Sequence, residues 1–372
     1  MLQRLYVHNF RCLENFELSL KEMSTALIIG KNGSGKSTIA NVLELFQKIG
    51  RGITRVGKLV ELTDFTAERS DVPIRFEVEV LIDAKLYKYL LVLDLPKNFE
   101  ELRVLEEELV VSGKLIFSRK AGQVKRSLTK SETQFIVDWH FIALPIIHNE
   151  SENDPIYVLK TWFSRMLILA PIPKLMSGLS SGASIEPNRD CSNFGEWFSG
   201  LLNQFPASYT EMAKHFKEIM TDADVIENEI VGKDSKSMVV RFECENKELR
   251  VKFENLSDGE KCFFLSALVL ASNKHIPSLF CLWDEPDNYL SLTEIGQFVV
   301  SLRRSFKTRG QFIATSHNAE VIRKFSTENT LVLYRNSHLE PTLIKYVKDL
   351  ELNSNFDKKD LDIALILGDL TP

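Results

Sequence analysis

Gly30-Lys31-Asn32-Gly33-Ser34-Gly35-Lys36-Ser37 decides the fold of this chain. The stretch matches G-x-x-x-x-G-K-[ST]. It stands between a continuous apolar run at residues 26–29 and a helical pattern at 35–48 with Ile39, Val42, Leu43 and Phe46 on one face. A strand buried on both faces, a glycine loop and a helix, in that order, make a phosphate cradle. The glycines let backbone N–H groups turn inward, where a Cβ would obstruct them. Lys36 is a point charge for β- and γ-phosphates, Ser37 offers a hydroxyl to Mg²⁺, and the helix start adds a partial positive charge of about half a unit. The candidate cradle is Gly30, Lys31, Asn32, Gly33, Ser34, Gly35, Lys36, Ser37 and Thr38.

Working outward, the 372 residues are 44% hydrophobic and 26% charged, ample for one large domain with an insertion or for two domains. The net charge of −5 gives no whole-molecule attraction to nucleic acid or to an anionic membrane, so any such contact needs a local patch. Cys12, Cys191, Cys244, Cys262 and Cys281 are scattered without a CxxC pair, which argues against a zinc site or a disulfide framework and for a reduced, cytoplasmic setting. The longest nearly apolar run, 262–271, falls far short of the roughly 20 residues of a membrane helix, and the opening residues alternate as a strand does rather than as a signal peptide.

Alternation predicts strands at 5–10 and 16–20, then an antiparallel β-layer from 74–82, 87–95, 107–111 and 114–117. Residues 119–235 read as an inserted helical subdomain, with helices near 156–167 and 194–220 joined by the Pro171-Ile172-Pro173 loop and a mobile Gly/Ser-rich stretch at 177–184. Strands at 238–244 and 249–253 lead to a helix at 260–272. Then β and α alternate: strand 279–283, helix 293–306, strand 311–315, helix 319–325, strand 330–334 and a terminal helix near 361–367. Continuous apolar strands alternating with helices indicate a mostly parallel sheet flanked by helices. The expected organisation is therefore an α/β N-terminal lobe (1–118), an insertion (119–235) and a C-terminal lobe (236–372).

The C-terminal lobe carries three further motifs. Leu279-Phe280-Cys281-Leu282-Trp283 ends in Asp284 and Glu285: the first is a candidate Mg²⁺ ligand, the second a candidate base for a water attacking a γ-phosphate. His317 follows another strand end, where an imidazole can sense a γ-phosphate. Leu256-Ser257-Asp258-Gly259-Glu260-Lys261 opens a helix with Ser257 as N-cap and Gly259 leaving a bare backbone for a phosphate. Singly, each has an ordinary structural explanation.

In this order, the phosphate loop, LSDGE, Asp284-Glu285-Pro286-Asp287 and His317 resemble the ABC-type P-loop ATPases, in particular the RecF, SMC and OLD-like branch. Asn9-Phe10-Arg11-Cys12-Leu13 is similar to the NFR element that opens that branch. The resemblance covers about residues 1–85 and 236–335. It implies a P-loop ABC-ATPase fold that uses ATP and Mg²⁺, with catalytic roles for Lys36, Glu285 and His317 and metal contacts from Ser37 and Asp284. It also implies a homodimer with ATP sandwiched between the copies, Ser257 and Gly259 of one reaching the γ-phosphate held by the other, and Asn288-Tyr289-Leu290-Ser291 crossing the interface. Two departures stand out: Asp258 replaces a usual glycine, and none of Gln47, Gln123, Gln134 and Gln204 suits the loop glutamine that such ATPases place before the signature.

By the same resemblance the ATPase gates a separate nuclease or other effector in anti-phage defence or DNA repair. The 55 residues after His317 are expected to be too few for an appended nuclease. A nucleotide-sensing scaffold with little turnover is the alternative; a transporter subunit fits less well, given the NFR-type opening. DNA contact would have to use Lys114, Arg119, Lys120, Lys125, Arg126 and Lys130, or Arg303, Arg304, Lys307 and Arg309, although a solvated face explains such runs as well. No membrane partner is expected.

Overall fold

The computed structural model describes residues 1–127, 132–245 and 247–349. Lys130 and the helix expected at 361–367 lie outside them. The chain divides into two units, Met1–Met166 with the segment beginning at Thr327, and Leu167–Ser326.

The first unit opens with β1 (Leu2–His8), β2 (Phe16–Ser19) and β3 (Thr25–Ile29), followed by α1 (Lys36–Gly50). An antiparallel layer follows: β4 (Ile74–Ile82), β5 (Lys85–Asp94), β6 (Arg103–Val111), β7 (Lys114–Lys120), β8 (Gln123–Ser127) and β9 (Glu132–Ile136). With β1 and β2 these strands form one eight-stranded sheet in the order β2-β1-β4-β5-β6-β7-β8-β9. Alternation dictates its inner face: Phe76, Val78, Val80, Tyr89, Leu91, Leu93, Leu109 and Phe117 are buried. The helix α2 (Pro155–Ser164) packs on α1, with Phe46 and Phe163 stacked at 5.3 Å. Asp154 caps it by accepting the Ile156 amide, and Pro155 occupies the first turn, where no N–H is needed.

The second unit contains β10 (Leu167–Leu169), β11 (Leu179–Ser180), α3 (Phe194–Gln204), α4 (Ser208–Ile219), β12 (Ala223–Ile230), β13 (Lys236–Cys244) and β14 (Lys247–Lys252). It continues with α5 (Asp258–His275), β15 (Phe280–Asp284), α6 (Leu292–Thr308), β16 (Gln311–Thr315) and α7 (Ala319–Arg323). β10, β15 and β16 pair in parallel. Their residues are buried apart from the half-buried Asp284, as strands covered on both faces must be. β11, β12, β13 and β14 form a separate antiparallel sheet. The chain then returns to the first unit with β17 (Thr330–Tyr334), parallel to β3, and β18 (Leu343–Tyr346), antiparallel to β17.

Several expectations change. Position 118 falls inside β7, and the antiparallel sheet runs on to Ile136, so the segment 119–235 opens on strands rather than helices. Arg119, Val124 and Arg126 face inward there, and the charge of the stretch disguised its alternation. The helix expected at 194–220 is two helices, parted at Pro206, which cannot continue the backbone ladder. The Gly/Ser stretch is stapled: Gly195 N donates to Ser177 O at 2.8 Å, Gly178 N to Glu254 Oε1 at 2.8 Å, and β11 pairs with β13. Parallel pairing is found within β10-β15-β16 and β3-β17, whereas the eight-stranded sheet, the β11–β14 sheet and the β17–β18 pair are antiparallel. Among the described residues no helix is long and apolar enough to cross a membrane.

Candidate functional site

The phosphate loop lies wholly in the first unit and is held from three sides. Gly30 passes so close to β17 that a Cβ there would stand 2.4 Å from Leu333 O and 2.7 Å from Ser34 Oγ. Gly35 adopts φ 105° and starts α1; a Cβ on it would stand 2.9 Å from Thr342 Oγ1 and 3.1 Å from Cys12 Sγ. Both glycines are thus demanded, one by space and one by a left-handed backbone. Thr342 Oγ1 donates to Ser34 O at 2.9 Å, its amide donates to Cys12 O at 2.9 Å, and Cys12 Sγ lies 3.5 Å from Thr38 Oγ1.

Lys36 is buried and its ammonium donates to Gly30 O at 2.8 Å and Lys31 O at 3.2 Å, which folds the charge back over the loop. Ser34 Oγ is buried without a hydrogen-bond partner. Lys31, Asn32, Gly33 and Ser37 are exposed and Thr38 is half-buried. A cradle that a Cβ would fill, an orphaned hydroxyl and a cation parked on carbonyl oxygens fit a phosphate chain. A cavity of about 300 Å³ adjoins the loop, lined by Ile29, Gly30 and Ser34 on one side and Leu333, Arg335 and His338 on the other.

The NFR element braces the same unit. Asn9, fully buried, donates its amide nitrogen to Arg69 O at 3.0 Å and Val72 O at 2.6 Å, and Arg11 Nε pairs with Asp64 Oδ1 at 2.7 Å. Gln47 is occupied elsewhere: it is buried and donates to Met166 O at 2.6 Å, a packing role in α1.

In the second unit, the register that sets Asp284 opposite Thr315 builds the carboxylate group. Thr315 Oγ1 donates to Asp284 Oδ1 at 2.5 Å. Glu285 turns away from the strand at φ 51°, its amide bonding Thr315 Oγ1 at 3.0 Å. Its carboxylate accepts Asn288 Nδ2 at 2.8 Å and lies 3.3 Å from His317 Nδ1, so Glu285 and His317 stand together. Burial raises the Asp287 carboxyl above its usual range, against hydrogen bonds from Ser316 and Asn318. Asp284 and Glu285 therefore face different partners.

Ser257 caps α5 in a reciprocal box: its hydroxyl accepts Glu260 N at 3.3 Å and Glu260 Oε2 accepts Ser257 N at 2.7 Å. A Cβ on Gly259 would stand 3.2 Å from Tyr289 O, so the signature turn rests against the Asn288–Ser291 segment of its own chain. The basic stretches divide. Arg119 is buried beside Glu107 and donates to Ala121 O and Asp138 O; Arg126 pairs with Asp154 at 2.6 Å. Neither faces solvent, and these two leave the proposed DNA-contact set. Arg303 lies over the Phe325 ring at 4.4 Å and Arg309 caps α5 through Lys274 O at 2.7 Å, while Arg304 and Lys307 are exposed. Among the described residues no group of three His, Cys, Asp or Glu forms a ready metal site.

Sequence reading passed over Thr315, Thr342 and Asn288 as partners of the motifs. Thr315 depends on strand register and Thr342 on a contact between residues far apart, where an ordinary threonine carries no local signal; Asn288 lies only three residues beyond Glu285, in the stretch assigned to the interface.

The family model described as "AAA domain, putative AbiEii toxin, Type IV TA system" matches residues 26–323. The chromosome partition protein Smc of Chlorobaculum tepidum is 29% identical over 124 residues, 32% of this chain and 10% of that protein. The OLD nuclease of Thermus scotoductus is 49% identical over 45 residues, 12% of this chain and 8% of that protein. Each match thus spans a tenth or less of the curated relative's length. Among solved structures, an SMC head bound to the C-winged helix domain of ScpA has a TM-score of 0.55 at 15% identity, covering 94% of this chain and 98% of that one. At that identity the likeness is one of fold: a P-loop, ABC-like α/β arrangement of the SMC-head kind.

Proposed function

The chain belongs to the AAA-domain family described as putative AbiEii toxin of type IV toxin–antitoxin systems, and on that premise we propose that it binds ATP with Mg²⁺ and hydrolyses it as a homodimer. The observation that carries the reading is the loop itself: the Lys36 ammonium parked on Gly30 O and Lys31 O, beside the buried, unpartnered Ser34 Oγ. A triphosphate offers the acceptor that the Ser34 hydroxyl lacks, and charged oxygens in place of the carbonyls for the ammonium.

Lys36 exchanges its two carbonyl contacts for phosphate oxygens, and the inward amides of Gly30 to Thr38 cradle the rest. Ser37 and Asp284 are the residues that, by the family resemblance, would hold Mg²⁺, which would offset negative charge on the phosphates. Thr315 fixes the Asp284 carboxylate, and Glu285 accepts the proton of the attacking water. His317, paired with Glu285, senses the γ-phosphate. Ser257 and Gly259 complete the pocket of a second copy. The switch between open and closed dimers gates a separate nuclease or effector protein, in anti-phage defence or DNA repair, in the cytoplasm.

Complementation tests the scheme. Copies carrying Lys36→Ala and copies carrying Ser257→Arg are each expected to lack turnover. Mixed, random pairing yields one working pocket per mixed dimer and about a quarter of parental turnover. Mixtures that stay inactive, with both copies folded and Ser257→Arg still binding ATP, would falsify the shared pocket.

A further inference from the structure

A fixed cation stands beside the carboxylate assigned to the metal. Arg189 Nη2 lies 3.9 Å from Asp284 Oδ2, with the arginine side chain 23% exposed and the aspartate 13%. Both belong to the second unit. The turn that carries Arg189 is rigid by construction. Arg189 O accepts the Ala170 amide at 2.8 Å and Asp190 O accepts the Ile172 amide at 3.1 Å, so the turn is zipped to the chain leaving β10. Asn188 N bonds Asn193 Oδ1 at 2.8 Å, Asn188 Nδ2 bonds Ser192 Oγ at 3.0 Å, and Asn193 Nδ2 bonds Glu186 O at 3.0 Å. β10 in turn pairs with β15, the strand that ends in Asp284. Arg189 is therefore delivered to Asp284 by backbone pairing rather than by a long side chain wandering at the surface.

Charge decides what such an arginine favours. A guanidinium keeps its proton throughout the accessible pH range. A bare divalent cation on Asp284 meets a like charge a few ångströms away. A metal–nucleotide complex brings negative phosphates instead, and each added phosphate strengthens the attraction. Arg189 is a charged side chain that the fold brings to Asp284 from the segment preceding helix α5.

We infer that Arg189 is a specificity-determining residue that reads the terminal phosphate at Asp284 and favours nucleoside triphosphate over diphosphate. The inference rests on the nucleotide reading proposed above.

The test is equilibrium binding of fluorescent ATP, ADP and a non-hydrolysable ATP analogue, with Mg²⁺ and with chelator, to the parent protein and to Arg189→Ala, Arg189→Lys and Lys36→Ala. Arg189→Ala is expected to weaken triphosphate binding about tenfold with Mg²⁺ while diphosphate binding changes by less than about threefold. Arg189→Lys, which keeps the charge, should retain most of the preference and serves as the folded control. A merely structural arginine would weaken all nucleotides alike. An unchanged triphosphate-to-diphosphate ratio in folded Arg189→Ala, or an equal loss for both, overturns the inference while leaving nucleotide binding intact. If the parent binds no ATP, or Lys36→Ala binds it equally well, the nucleotide reading itself fails and takes the inference with it.

Discussion

Thr315 donates its hydroxyl to Asp284 at 2.5 Å, across the register of two parallel strands. The same oxygen accepts the Glu285 amide at 3.0 Å, so one buried side chain fixes the Asp284 carboxylate and the backbone of Glu285. Thr315→Val preserves shape and removes both bonds. It is expected to cost about 1–3 kcal/mol of stability, read from urea unfolding, and to lower ATP turnover by about tenfold or more without abolishing nucleotide binding.

Glu285, the proposed base, accepts a hydrogen bond from Asn288 and lies 3.3 Å from His317 Nδ1. Glu285→Gln keeps the shape and the Asn288 contact. ATP affinity should stay within about threefold of the parent, while phosphate release falls roughly 10²–10⁴-fold. Parental release rates in this variant would reassign the base.

Gly30 has no room for a side chain, with a Cβ placed 2.4 Å from the Leu333 carbonyl. Gly30→Ala must push β17 from the loop, at a cost of about 1–3 kcal/mol. Denaturant titration and ATP-analogue binding should show both a lower midpoint and lost binding.

Arg119 and Glu107 are fully buried together, and burial pushes the Glu107 carboxyl up and the Arg119 guanidinium down. Glu107 also accepts Tyr89 OH and the amides of Ala143 and Leu144. Arg119→Ala strands that carboxylate and is expected to cost about 3–5 kcal/mol, whereas exposed Lys125→Ala should stay within about 0.5 kcal/mol. Chemical denaturation of the two variants separates a structural arginine from a surface one.

His215 is buried beside Ser266, and burial lowers its pKa below 6.5, against the opposing charge of Glu218. The unfolded chain takes up the proton first as pH falls. The stability contributed by the neutral imidazole is thus present above about pH 6.5 and is lost as the pH drops through the lower folded value. His215→Gln should flatten this acid-side decline, seen by comparing thermal midpoints of the two proteins across pH 5 to 7.

Residues that act through local spacing were legible in the sequence. Strands 74–82, 311–315 and 330–334 have the bounds that alternation or apolar runs suggest. β8 and β12 escaped notice because Gln123–Ser127 and Ala223–Ile230 carry many charges and bury few residues. The single helix expected at 194–220 neglected Pro206. Thr315 was seen as a strand end and Arg189 not at all, since their meaning arises from pairing between β15 and β16 and between the Arg189 turn and the β10 exit. Proximity of that kind is created by folding and leaves no periodic trace.

Thr342 grips Ser34 and Cys12 across some three hundred residues of chain. On the ribosome, the glycine loop is made some three hundred residues before the threonine that buttresses it. The loop is therefore born unbraced, and its final shape waits on the emergence of the whole stretch of chain between serine and threonine.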